Sequence, residues 1–169
     1  FAPRMKPFLT ENIYGQDISD VTDVSCTIWS LLNTDKIASM AASGKESWSY
    51  LCTGPKSPYI TEFIDHDAIN MRMWIWASYI YNLKGVLVWE TTWWNSNYAY
   101  PEGYLQNPWE EAMSWAISYG IPFGMKSPWG NGDGRFFYPL NQSPNDGSTD
   151  PVIGEPVPSS RIEALRDGI

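Results

Sequence analysis

The chain has 169 residues, 43% of them hydrophobic, and a formal net charge of −8, which suits one domain with a real core and excludes a disordered segment. With 11 Lys and Arg against 19 Asp and Glu and no basic cluster, a phosphate backbone would be repelled, so nucleic acid is not an expected partner. No apolar run reaches the roughly 20 residues of a membrane span, because Arg72 and Ser78 interrupt the stretch from Met71 to Ile80.

In chain order, Phe8-Leu9-Thr10-Glu11 follows a proline and precedes a Gly15/Asp17 turn, and reads as a short strand ending near Glu11. Ser25-Cys26-Thr27-Ile28-Trp29 is the next strand. A helix is predicted over 35–43, capped by Thr34 or Asp35 and ended by Gly44. Trp48-Ser49-Tyr50-Leu51-Cys52 is a third strand, stopped by Thr53-Gly54-Pro55. The clearest helix covers 67–82, where Ile69, Met73, Trp76 and Ile80 recur at helical spacing and are expected to face the core. Gly85 to Trp89 is a fourth strand, apolar throughout as in parallel sheets covered on both faces. A long segment, 98–132, is dense in Tyr, Trp, Pro and Gly, with a short helix expected at 108–119. Asn131-Gly132-Asp133-Gly134 makes a tight turn into a strand or hairpin arm at 135–139. Residues 141–158 read as linker-like surface, and Ser160-Arg161-Ile162-Glu163 as a capping box opening the last helix.

Strand and helix alternate as in a parallel sheet. Four such strands make half of a (β/α)8 barrel, whose usual size is about 250 residues, and a half-barrel leaves open sheet edges. The expected fold class is therefore α/β: the C-terminal half of a TIM-like barrel, with a long aromatic-rich loop after its last strand. The chain opens on Phe1-Ala2-Pro3 and stops at Ile169 within a helical apolar pattern, so residues 1–169 are read as part of one longer domain. Its other half, expected before Phe1, or another chain would cover the edges.

Chemistry concentrates in Trp89-Glu90-Thr91-Thr92-Trp93-Trp94-Asn95. Sugar rings present flat C–H faces that pack on indoles, and a carboxylate in a partly dry setting can act as acid, base or nucleophile at a glycosidic bond. The alternative is a strand end whose indoles fill core while Glu90 meets solvent. Ten Trp and ten Tyr against six Phe favour a wet, hydrogen-bonding surface over a greasy interior. Catalytic residues of such barrels lie at C-terminal strand ends, which nominates Glu11, Trp29, Tyr50 to Thr53 and Trp89 to Asn95. Asp133 can accept from a sugar hydroxyl or serve simply as a turn residue. Cys26 and Cys52 are read as buried free thiols, with one disulfide if the protein is exported. The single histidine, His66, expected near a helix start, supports neither a His-based metal site nor a Ser-His-Asp triad without a second chain. No metal or cofactor is expected.

Taken in order, Trp48-Ser49-Tyr50-Leu51-Cys52-Thr53-Gly54-Pro55, Phe63-Ile64-Asp65, Gly85-Val86-Leu87-Val88-Trp89, Gly132-Asp133-Gly134 with Tyr138-Pro139, and the run from Pro158 to Ile169 resemble the C-terminal half of the catalytic domain of glycoside hydrolase family 123 and its relatives. Residues 98–131 match nothing in that pattern. The resemblance implies a (β/α)8 barrel and a β-N-acetylgalactosaminidase-like activity that retains configuration by substrate assistance. It further implies an adjacent Asp-Glu pair, Asp orienting the acetamido group and Glu protonating the leaving oxygen, upstream of the matched motifs. This chain contains no Asp-Glu dipeptide. It also implies a glycan substrate and a secreted, periplasmic or cell-surface bacterial location. Tyr50 and Trp89 would line the sugar subsite, with Trp93, Trp94 and Asn95 beside them. In the family a small or polar residue usually follows the Trp of this strand, so Glu90 is a departure that leaves N-acetylhexosamine specificity open.

Overall fold

The computed structural model describes residues 5–10, 19–52, 54–94, 106–113, 131–140 and 153–169. Strands β1 (Phe8–Leu9), β2 (Val24–Ile28), β3 (Glu46–Leu51) and β4 (Gly85–Val88) form one parallel sheet in the order β1-β2-β3-β4. Helix α1 (Thr34–Ala42) connects β2 to β3, and α2 (Ile69–Ile80) connects β3 to β4. The α/β alternation and the parallel sheet are as expected from the sequence. A two-stranded antiparallel ribbon, β5 (Phe137–Tyr138) with β6 (Val157–Pro158), precedes the last helix, α3 (Ser160–Arg166). β6 lies in the stretch expected to be linker.

Register fixes what each face carries. Ser47, Ser49 and Leu51 of β3 are buried, and Trp48 and Tyr50, on the opposite face, are half-buried. The first set faces the helices, since the Trp74 indole N–H of α2 donates to Ser49 Oγ at 2.9 Å. Around it lies the core: Trp29, Ile37, Leu51, Met71, Trp74, Leu83, Phe136 and Leu165, with Val86 and Val88 packed against it. On the second face Cys26, Trp48 and Gly85 align across β2, β3 and β4. A Cβ on Gly85 would lie 2.5 Å from the Trp48 ring, so only glycine admits the indole there. Phe8 meets that ring edge-to-face, 5.4 Å between centroids.

Helix α2 turned the other way from the sequence reading. Ile69, Met73, Trp76 and Ile80, the stripe expected to face the core, are 47%, 41%, 49% and 76% exposed, whereas Met71 and Trp74 are fully buried. The helix carries apolar residues on both sides, so periodicity alone does not choose between stripes. Trp74 decides it, because its indole N–H finds a hydroxyl under the sheet. Two caps shift by one residue: Asn33, whose side chain accepts from Lys36 N at 3.0 Å, caps α1, and Ser159, accepting from Ile162 N, caps α3. With Ser159 as cap, Glu163 lies beyond the capping-box position and pairs with Arg166 instead. Residues 108–110, the described start of the helix expected at 108–119, form a turn, and Met113 makes an isolated bridge to Asn131. Cys26 and Cys52 are both free thiols. No helix among the described residues is long and apolar enough to cross a membrane.

Candidate functional site

The C-terminal ends of β3 and β4 are neighbours, with Tyr50 registered on Leu87 and Leu51 on Val88. The chain leaves β4 as Trp89 and Glu90. Trp89 is 49% exposed and stands edge-to-face against Trp93, ring centroids 4.9 Å apart at 88°. Glu90 is half-buried, its Oε1 3.5 Å from Thr92 Oγ1. Trp94 is half-buried and donates its indole N–H to Phe137 O at 2.8 Å. Tyr50 is half-buried one strand away. Asn95, Glu11 and Thr53 lie outside the described residues, as does most of the aromatic segment 98–132.

Residues 131–135 pack against this end of β4. Gly132 and Gly134 have φ of +78° and +71°, a conformation that side chains rarely adopt. Contact crowds a side chain as well, more at Gly132 than at Gly134. A Cβ on Gly134 would come within 3.1 Å of Trp93 Cβ, 3.2 Å of Trp89 Cζ3 and 3.3 Å of Glu90 Cβ, and one on Gly132 within 2.7 Å of Ile64 Cγ2. The backbone is tied at the same points: Trp93 N donates to Gly134 O at 2.9 Å, and Phe136 N to Thr91 O at 2.9 Å. The glycines thus let the backbone of this turn close on the indole pair, with Gly134 against Trp89 and Trp93.

Asp133, between them, is 2% exposed, and its side chain is hydrogen-bonded to that of Glu62, also 2% exposed. Burial of two neighbouring carboxyl groups disfavours ionising both. Burial first, then Asp133, raise the Glu62 pKa well above the ordinary glutamate value of 4.5. Glu62 Oε1 is buried with no hydrogen-bond partner among the described residues, an arrangement that costs less for a neutral carboxyl than for a carboxylate. The other groups bearing on Glu62 are Arg161, whose charge opposes the shift, and Cys52.

Buried arginines knit the surrounding loops. Arg161, 3% exposed, donates through Nη1 to Glu62 O at 2.7 Å and Gly132 O at 2.8 Å, through Nη2 to Arg135 O, and lies 4.8 Å from the centre of the Phe136 ring. Arg135, fully buried, donates through Nε to Trp93 O at 2.7 Å, through Nη1 to Glu111 O at 2.6 Å and through Nη2 to Gln106 Oε1 at 2.6 Å. Five donors in a rigid fork let each guanidinium satisfy several loop acceptors at once.

The structure therefore brings Trp89, Glu90, Trp93 and Asp133 together around Gly134, with Trp94 attached through Phe137 and Tyr50 on the adjacent strand. Glu62, Arg135 and Arg161 are the residues that sequence reasoning missed. A signal for Arg161 was present: a cation in the first turn of α3 opposes the helix dipole, so its presence there calls for a specific partner. Cys26 is inert by comparison, fully buried on the sheet, its thiol pushed up to about 12 by burial. Among the described residues no group of three or more His, Cys, Asp or Glu is placed to hold a metal ion.

Comparison with known proteins bears on this arrangement. A solved structure of a family 123 glycoside hydrolase from Clostridium perfringens, described in connection with glycolipid glycan hydrolysis, is similar with a TM-score of 0.54 and 20% identity, over 95% of this chain and 23% of that one. At that identity the likeness concerns the fold, and the chain spans a minor part of that protein's length. No curated protein matches the sequence. The family model for the glycoside hydrolase 123 catalytic domain matches residues 3–169, and the chain belongs to that family.

Proposed function

We propose that the protein carrying this chain is a glycoside hydrolase of the β-N-acetylgalactosaminidase type, retaining configuration by substrate assistance, and that residues 1–169 are the C-terminal half of its (β/α)8 barrel. The observation that carries this reading is the Trp89–Trp93 pair at the C-terminal end of a parallel strand in a chain of this family. In the proposed reaction the acetamido oxygen of the sugar attacks its own anomeric carbon, the glycosidic C–O bond breaks, and the leaving oxygen takes a proton from a carboxylic acid. Water then opens the cyclic intermediate from the opposite face, restoring the starting configuration. The orienting Asp and donating Glu belong to an Asp-Glu pair that these 169 residues do not contain.

This chain's own share is binding. Trp89, half exposed, offers an indole face to a sugar ring, with Trp93, Trp94 and Tyr50 bordering it. Glu90, beside them, is assigned to accept a hydrogen bond from a sugar hydroxyl. In the full-length protein, cleavage of an aryl β-N-acetylgalactosaminide followed by proton NMR should release the β anomer first, and a thiazoline mimic of the cyclic intermediate should inhibit. First release of the α anomer, or indifference to the thiazoline, would sink the substrate-assisted reading.

The missing Asp-Glu pair favours one alternative, a noncatalytic carbohydrate-binding module built from the same aromatics. Saturable glycan binding by the full-length protein, without turnover of any aryl hexosaminide, would select it.

A further inference from the structure

From sequence Asp133 can accept from a sugar hydroxyl or serve simply as a turn residue; in the structure it is buried and engaged with Glu62. The connections run onward without a break. Glu62 holds Asp133 by a side-chain hydrogen bond; Gly134, the next residue, accepts from Trp93 N and abuts Trp89, Trp93 and Glu90; Trp93 supports Trp89 edge-to-face. Glu62 itself is fixed through its backbone, its carbonyl oxygen receiving Arg161 Nη1. We propose that Glu62 is a positioning residue for glycan binding: the Glu62–Asp133 hydrogen bond locks residues 132–134 against β4 and so sets the Trp89–Trp93 platform. This deepens the binding role proposed above and rests on it for its consequence in glycan affinity, although the lock itself does not.

The lock needs a proton, and this makes it sensitive to pH. With its proton in place Glu62 can donate to Asp133; once ionised, the pair repels in a site from which water is excluded. The groups that face Glu62 are Asp133 from the turn, Arg161 from α3 and Cys52 after β3, with Tyr138 of β5 acting on Arg161. Arg161 favours the ionised form and burial opposes it, with burial the larger effect. The lock should therefore hold through the ordinary carboxylate range and loosen as pH rises through the elevated Glu62 value.

The test uses the full-length protein labelled with 5-fluorotryptophan, its Trp89 and Trp93 fluorine resonances assigned by Trp89→Phe and Trp93→Phe, alongside KM and kcat for an aryl hexosaminide as functions of pH. In the wild type both resonances should shift as pH rises, and KM should climb about tenfold in the same range, the loss of roughly one hydrogen bond, with kcat changing far less. Glu62→Gln, whose amide donates to Asp133 at every pH, should flatten both profiles and keep the low-pH KM. Glu62→Ala should show the high-KM state throughout. Should Glu62→Ala not fold, the flattening by Glu62→Gln decides. Wild-type resonances that ignore pH, Glu62→Gln profiles like those of the wild type, or a Glu62→Ala protein with a lowered melting temperature but unchanged KM and resonances would overturn the proposal. If no hexosaminide is turned over, the assigned function fails, and the fluorine profiles still decide whether the lock exists.

Discussion

At the N-terminal rim of the sheet, Glu46 meets Lys6 across 2.6 Å with the lysine 64% exposed; at the C-terminal rim, Glu62 meets Asp133 with both side chains 2% exposed. Each rim joins a carboxylate to a partner far along the chain, yet the energetics differ in kind. Water screens the first pair, and neither side chain loses much by letting go. At the other rim there is no water to fall back on, so each buried polar group depends on its assigned neighbour. The difference teaches where a parallel sheet invests in precision, namely at the end where its loops display indoles.

The widest test of this contrast is Arg161→Met. It removes a cation that three backbone carbonyls accept from, and unfolding in denaturant should show a loss of about 3–5 kcal/mol, the usual cost of breaking a buried charge network on one side. The pH dependence of stability sharpens the contrast next. Because the folded state raises the Glu62 pKa above 4.5, its contribution is fully present below that value and is lost as pH climbs to the folded pKa. Within that window stability should fall by at most about 1.4 kcal/mol per pH unit. Glu62→Gln should remove the slope, and a slope surviving it belongs to another group. Glu90, half-buried at the same rim, should matter less: Glu90→Gln in the full-length enzyme should weaken glycan binding and lower turnover about tenfold or less. Loss of turnover by several orders of magnitude, rescued by azide as a glycosyl azide, would make Glu90 a nucleophile. At the opposite rim, Lys6→Ala should leave the melting temperature unchanged at moderate salt, and a drop comparable to that of Arg161→Met would erase the distinction between the rims.

How much of this was legible in the sequence depended on whether a feature is local. The parallel strands, their order and the glycine turn at 132–134 follow from short-range pattern, and β2 to β4 appear within two residues of their expected limits. The orientation of α2 was not legible, because Ile69, Met73, Trp76 and Ile80 form as regular a stripe as the buried one, and the choice rests on Ser49 across the sheet. Glu62 was hidden for a similar reason. Between Thr61 and Phe63 it reads as an ordinary loop acid, and only the approach of residues 131–135, some seventy positions on, shows it to be buried beside Asp133. The indoles of 89–94 were conspicuous from composition, whereas the carbonyls that Arg135 and Arg161 hold required coordinates.

The Arg161 fork takes the main-chain oxygens of residues 62, 132 and 135, and Arg135 takes the carbonyls of 93 and 111. Every residue owns such an oxygen. A substitution at 93 or 111 therefore leaves its arginine contact intact, and these loops can vary what they present without surrendering how they are held. Such a frame separates how the loops are held from what they present: side chains at this rim can be exchanged while the cationic pins that hold the backbone stay in place.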